Sequence, residues 1–185
     1  MIYPPVEMPP GSNSIPVRLT DYFLMVSQLY PHKNTELAVE AFRKLPELNL
    51  AVVGTGPEYK NLKNKIRKLK IKNIELLGFV SDEQLPYYYQ NCLAYLICNE
   101  EDFGISPVEA MSFGKPVLAY HSGGAKETVL EGKTGEFFSE LKAESLARSV
   151  KGFSEKIKAG FYGPAAIKEY AKKFGDKRFK KEILD

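Results

Sequence analysis

Two carboxylates and one lysine carry the clearest chemistry in this chain of 185 residues. Glu101 and Glu109 stand eight residues apart in the stretch NEEDFGISPVEAMSFG, residues 99–114. Gly104 lets the chain turn tightly between them. An ionised carboxylate only accepts hydrogen bonds, which suits it to sugar hydroxyls. A solvated helix face accounts for Glu109 equally well, since it lies along a helix body beside Val108 and Met111. Lys33 offers a mobile point charge to a phosphate, or is a plain surface lysine. Gly54, Gly56, Gly104, Gly123 and Gly124 present no side chain to obstruct a ligand. Helices opening after Gly104 and Gly124 can aim free N–H groups, with a favourable dipole, at an anion. A nucleoside diphosphate bearing a sugar needs this mixture. Its diphosphate takes N–H groups and cations, and its hydroxyls take carboxylates.

Other chemistries are excluded by what is missing around these residues. His32 and His121 lack metal-ligand spacing with cysteine or carboxylate partners, so no metal site is expected. There is no GxSxG elbow and no Walker A loop. Gly54-x-Gly56 lacks the third glycine of the dinucleotide fingerprint, because position 59 is Tyr, and this sets aside an NAD-binding dehydrogenase. The separation of Glu101 and Glu109 along the chain does not give the cross-ring spacing of a glycosidase pair.

The elements that must position these residues alternate. Apolar strands are expected at 22–26, 48–53, 74–77, 93–97, 116–120 and 135–138. Helices are expected at 35–45, with Asn34 or Thr35 as cap, and at 57–69. Ser81 and Gln84 form a capping box for the next one, which carries Leu85, Tyr88 and Tyr89. Further helices follow at 106–113 with Pro107 in the first turn, after Gly123-Gly124, from 142 onward, at 164–174, and as a short amphipath at 178–184. Repeated strand, loop and helix units predict a Rossmann-like α/β domain: a mostly parallel sheet with helices on both faces. Right-handed crossovers put the strand exits at Ser27, Gly54, Gly78, Ile97 and Tyr120 on one edge, the usual ligand edge. Residues 1–20, rich in proline, read as an arm or interdomain linker. Residues 21–160 are expected to form a Rossmann-like domain suited to a nucleotide sugar, and 161–185 a helical tail.

Composition fits a folded domain, with 44% hydrophobic and 26% charged residues. The net charge of +3 is too small to argue for nucleic acid. Its basic excess sits in two lysine-rich clusters, 60–72 and 172–181. These read as solvated helix faces or as a surface for a phosphate-rich ligand or an anionic membrane. Cys92 and Cys98 flank an apolar strand without metal-type pairing, which fits two reduced thiols. No signal-peptide pattern or transmembrane run is present.

The run from Glu101 to Met111, EDFGISPVEAM, followed by Gly114-Lys115-Pro116-Val117, resembles the Glu-x7-Glu region of retaining glycosyltransferases of family 4. Gly123-Gly124-x-x-Glu127, Gly132-x-Thr134-Gly135, Val52-Val53-Gly54-x-Gly56-Pro57 and Leu77-Gly78-Phe79-Val80 are similar to further segments of that family. The resemblance covers almost the whole chain. It implies the GT-B architecture, two Rossmann-like domains with the active site between them, of which this chain is the second, donor-binding one. It implies that Lys33 contacts the donor diphosphate and that Glu101 lies near the transferred sugar, the two residues placed at the reacting centre. Phe79 and Val80 would border the base through their backbone. Phe103, Gly104 and Ile105 would meet sugar and phosphate, and Glu109 would hold the ribose hydroxyls. Gln28 stands where many members carry a second phosphate-binding cation, an arginine.

The form EDFGIxPVEA is similar to mannosyltransferases using GDP-mannose, so GDP-mannose is the expected donor, with UDP- or ADP-sugars as alternatives and no cofactor. The resemblance implies hexosyl transfer to a glycan or lipid-linked acceptor, held by an N-terminal domain, in the cytoplasm at the inner face of the cell membrane. Without that domain, little or no transfer is expected. A sugar-nucleotide epimerase or hydrolase is one competing reading. A non-catalytic nucleotide-binding or scaffold domain in a glycan-assembly complex is another.

Overall fold

The computed structural model describes residues 18–102 and 104–175. Residues 1–17 of the arm expected at 1–20, the amphipath at 178–184 and Phe103 lie outside the described residues. Among the described residues six strands form one sheet: β1 (Tyr22–Val26), β2 (Asn49–Val53), β3 (Ile74–Gly78), β4 (Ala94–Ile97), β5 (Val117–Tyr120) and β6 (Gly135–Phe138). Their order is β3-β2-β1-β4-β5-β6, and every pair is parallel. The expected parallel α/β architecture is therefore present. The central strands read YFLMV, NLAVV and AYLI and are buried almost throughout. Such unbroken apolar runs belong to strands covered on both faces.

Among the described residues seven α-helices connect and cover the strands: α1 (Thr35–Arg43), α2 (Tyr59–Lys68), α3 (Leu85–Asn91), α4 (Ile105–Ser112), α5 (Ala125–Thr128), α6 (Ala143–Lys158) and α7 (Pro164–Ala171). α1 packs against α2 and α6, while α4 packs against α3, α5 and α7. Phe23 of β1 meets Phe42 of α1 edge-on at 5.4 Å and Phe153 of α6 at 6.4 Å, knitting the sheet to the first helical layer. Burying one such side chain contributes about 1.5–3 kcal/mol. Asn73, buried just before β3, turns its amide nitrogen to the carbonyls of Phe42, Leu45 and Leu48 at 2.7–3.0 Å. It thereby ties the exit of α1 and the entry to β2 into the edge of the sheet.

Several local expectations are corrected. Asn34 occupies the position before α1 but in a left-handed conformation and without a side-chain cap; its amide donates to the Cys98 carbonyl instead. Ser81 does not cap α3, which begins at Leu85, although its N–H still reaches Gln84 Oε1 at 3.4 Å. The helix after Gly123-Gly124 is a single turn. Four residues hold few intrahelical hydrogen bonds, and Val129 then turns extended toward the next strand. The helix expected at 164–174 ends at Ala171 and finishes as a 3₁₀ turn, Lys172–Phe174.

The order places a topological switch between β1 and β4. They are neighbours through Phe23↔Ala94 and Leu24↔Tyr95, yet their following connections lead to opposite sides. A crevice opens where such loops diverge. One wall is set by backbone-on-backbone packing. At Gly54, φ is +131°, and a Cβ there would stand 1.9 Å from the Ser27 carbonyl oxygen. The space left by this glycine is thus occupied by the chain itself. The β1 and β2 exits are further joined by Ser27 N–H to Val53 O at 3.0 Å and Leu29 N–H to Thr55 O at 2.9 Å. We expect Gly54→Ala to cost at least about 3 kcal/mol in urea unfolding, through strain plus clash. Gly132→Ala, also at positive φ but with open space around it, is expected to cost about 1 kcal/mol.

Candidate functional site

Two adjoining cavities lie at the carboxyl edge around the switch. One, of about 440 Å³, includes Gln28, Lys33, Gly54, Phe79, Val80 and Asp82 in its lining. The other, of about 300 Å³, includes Asn99, Gly104, Ile105, Ser106 and Pro107. Glu101 borders both. Most of the residues singled out in the sequence are thus brought together. Glu109 is not in either lining and lies one helical turn below Ser106. Phe103, expected beside Gly104, is outside the described residues.

The centre of the site is an ion pair across the switch. Lys33 Nζ, in the loop after β1, donates to Glu101 Oε1, in the loop after β4, at 2.7 Å. Asn99 Nδ2 donates to the same oxygen at 2.9 Å. The Glu101 carbonyl accepts from Gly124 N–H at 2.7 Å. A Cβ at Gly123, where φ is +56°, would stand 2.3 Å from that carbonyl oxygen. The two glycines therefore press the β5 exit onto the backbone of Glu101. A second tie runs parallel to the ion pair, from Asn34 Nδ2 to the Cys98 carbonyl at 2.9 Å.

Electrostatically the site is lopsided. Lys33 is the only cation lining either cavity among the described residues, while the two linings together hold Asp82, Glu101 and Asp102. Gln28 is exposed and brings hydrogen bonding without charge. The remaining positive potential comes from backbone. α4 starts after Gly104 with φ +78° and no side-chain cap, so its first N–H groups and its dipole are left for an anion.

Glu109 is held differently. Its Oε2 accepts from the Tyr89 hydroxyl at 2.8 Å. Burial pushes its carboxyl above the ordinary value; the Tyr89 hydrogen bond opposes this, and the charge of Asp82 adds to it. In the sequence Tyr89 stands out only as a helix-face aromatic, and nothing marks Asn34 as a loop tie, or Asn99 or Asp82 as site residues. Amides and acids are common in loops, so nothing local distinguishes these. Both cysteines are buried, and burial pushes the Cys92 thiol up to about 12. Among the described residues no helix is long and apolar enough to cross a membrane, and no cluster of three or more His, Cys, Asp or Glu could hold a metal ion.

The family model described as "Glycosyl transferases group 1" matches residues 18–174. A glycosyltransferase of Methanocaldococcus jannaschii, MJ1178, itself uncharacterized, is 30% identical over 116 residues, 62% of this chain and 33% of its own length. The GDP-mannose-dependent alpha-(1-6)-phosphatidylinositol monomannoside mannosyltransferase of Mycolicibacterium smegmatis is 29% identical over 138 residues, 68% of this chain and 36% of its own length. Among solved structures, Anabaena Alr3699/HepE in complex with UDP and glucose superposes with a TM-score of 0.76 at 26% identity. That match covers 89% of this chain and 47% of the Anabaena chain. The chain thus spans about a third of these curated relatives and about half of the solved one.

A raised carboxyl in the folded state has a signed consequence. The folded protein binds the Glu109 proton more tightly than the unfolded chain. The associated stability is complete below the ordinary carboxylate pKa and is lost as pH rises through the folded-state value. Glu109→Gln is therefore expected to raise the melting temperature at pH 7 by about 2–4 °C. Calorimetry at pH 4 should show the difference vanishing.

Proposed function

The chain belongs to the group 1 glycosyl transferases, and we propose that it is the donor-binding lobe of a retaining, GT-B-type hexosyltransferase of family 4. The observation that carries this reading is the Lys33–Glu101 pair beside the uncapped start of α4. It sets a cation, free N–H groups and a sugar-accepting carboxylate around one crevice. A nucleotide sugar fits that combination. Diphosphate oxygens face Lys33 and the α4 start, and hexose hydroxyls face Glu101. The base meets the backbone of Phe79 and Val80, and Glu109 takes the ribose hydroxyls.

The reaction breaks the bond between the anomeric carbon and the diphosphate oxygen. Negative charge grows on the leaving diphosphate as the carbon gains oxocarbenium character. Lys33 and the α4 N–H groups stabilise that charge from fixed positions. The acceptor hydroxyl attacks from the same face, its proton passing to the leaving phosphate oxygen, and configuration is retained. No side chain of this lobe acts as a nucleophile. The acceptor, a glycan or a lipid-linked glycan, is held by a second lobe, at the cytoplasmic face of a membrane.

GDP-mannose is the donor we favour. Asp82 lines the cavity beside Phe79 and Val80. A carboxylate accepts two parallel hydrogen bonds from guanine, whose N1–H and amino group are adjacent. Uracil has a single N–H between two carbonyls and repels the same carboxylate. The Mycolicibacterium relative is named for GDP-mannose, whereas the Anabaena structure contains UDP, so the relatives alone do not choose. A second reading, a non-catalytic nucleotide-binding domain, draws support from Gln28, which leaves Lys33 as the lining cation.

Titration calorimetry with GDP, UDP and ADP tests the donor assignment. We expect GDP to bind at least about tenfold more tightly than UDP, and Asp82→Asn to erase most of that preference. Equal or stronger UDP binding would overturn GDP-mannose while leaving the lobe assignment in place. Lys33→Ala is expected to weaken GDP by about ten- to a hundredfold, the range for loss of a charge-assisted hydrogen bond. In the protein joined to its acceptor lobe the same substitution should abolish transfer. Nucleotide binding without any transfer by the unsubstituted two-lobed protein would favour the non-catalytic reading.

A further inference from the structure

We propose that Tyr89 is a positioning residue for Glu109: its hydroxyl fixes one carboxylate oxygen and keeps the group an acceptor, so that Oε1 is presented to the ligand. This rests on the reading that Glu109 meets the ribose hydroxyls. Tyr89 is 1% exposed, and its ring is locked. It stacks on Phe113 at 5.8 Å with an interplanar angle of 11°, and lies 6.0 Å from the ring of Tyr95. Phenylalanine would fill the same space. Burying a hydroxyl is costly without a partner, and the partner here is Glu109 Oε2 at 2.8 Å. No protein hydrogen bond to Oε1 is present among the described residues.

The neighbouring groups make this bond consequential. Asp82, in the turn leading into α3, repels a charge on Glu109. Tyr95 of β4 also bears on it, but its own hydroxyl is engaged with Val26, donating to the carbonyl at 3.1 Å and accepting from the N–H at 3.4 Å. The Ser106 hydroxyl of α4 stands beside Tyr89 and Tyr95 rather than on the carboxylate. Tyr89 is therefore the neighbour that favours the ionised form, against burial and Asp82. A protonated Glu109 would turn from acceptor to donor at one oxygen, and a ribose diol needs acceptors from it.

The test pairs a ligand-free readout with a binding readout, on Tyr89→Phe, Glu109→Gln and the double variant. Carboxyl chemical shifts follow the titration of Glu109, and GDP and UDP affinities are measured from pH 5 to 8.5. In Tyr89→Phe we expect the Glu109 midpoint to rise by about one pH unit, since one unit is a tenfold change in the protonation balance. Nucleotide affinity should fall by up to about tenfold at pH values below the midpoints and return to that of the parent above the shifted midpoint. In the Glu109→Gln background, Tyr89→Phe should cause no further loss.

A midpoint that does not move removes the Tyr89–Glu109 coupling itself. A uniform loss of affinity at every pH, repeated in the Glu109→Gln background, reduces Tyr89 to packing. If Glu109→Gln binds nucleotide like the parent, or the parent binds neither nucleotide, the ribose role fails. The midpoint shift then reports a coupling with no ligand to position.

Discussion

The site depends on holding together two loops that the sheet topology sends apart. β1 and β4 are neighbours, but their connections run to opposite sides, which opens the crevice and also leaves it unsupported. Lys33 to Glu101 and Asn34 to the Cys98 carbonyl are ties across that gap. Each uses a residue of the β1 connection and one of the β4 connection. The Gly123-Gly124 turn then fixes the Glu101 backbone from a third loop. A partly exposed ion pair alone contributes about 1 kcal/mol or less. Its weight here comes from geometry, because the hydrogen bonds around it leave Glu101 little freedom.

The same pair sets the chemistry in balance. A crevice with several carboxylates and one lining lysine is a poor diphosphate site if charge is simply counted. Backbone N–H groups at the start of α4 supply what the side chains lack, and they do so without rearranging when a ligand arrives. Such dipoles are oriented by the fold, so the glycine at position 104 matters as much as the lysine. Gly104 adopts a conformation that ends the β4 connection and starts the helix in one step.

Much of the fold was legible in the sequence because its strands are apolar runs and its turns are marked by glycine. YFLMV, NLAVV and AYLI admit few other readings once helical periods lie between them. Boundaries were less legible. Asn34 looks like a helix cap, and only the three-dimensional neighbourhood offers its amide the Cys98 carbonyl. The site divided similarly. Lys33, Glu101 and Gly54 stood out by type and spacing and do meet at one edge. Gly54, however, is glycine because Ser27 lies against it, a reason that no local pattern expresses. Asn73 and Tyr89 act through partners 20 or more residues away in sequence, so their roles are invisible until the chain is folded.

The Lys33–Glu101 bond joins positions 68 residues apart. Between them lie β2, β3, β4 and three helices, and the two loops meet only where β4 is docked beside β1. Closing so long a segment is entropically expensive and is rewarded only by contacts that form together. The crevice is therefore absent from any form of the chain in which β4 has not docked beside β1. A chain stalled at that stage would carry the lysine and its glycine wall as one half-built cradle, and the carboxylates on a separate, undocked strand.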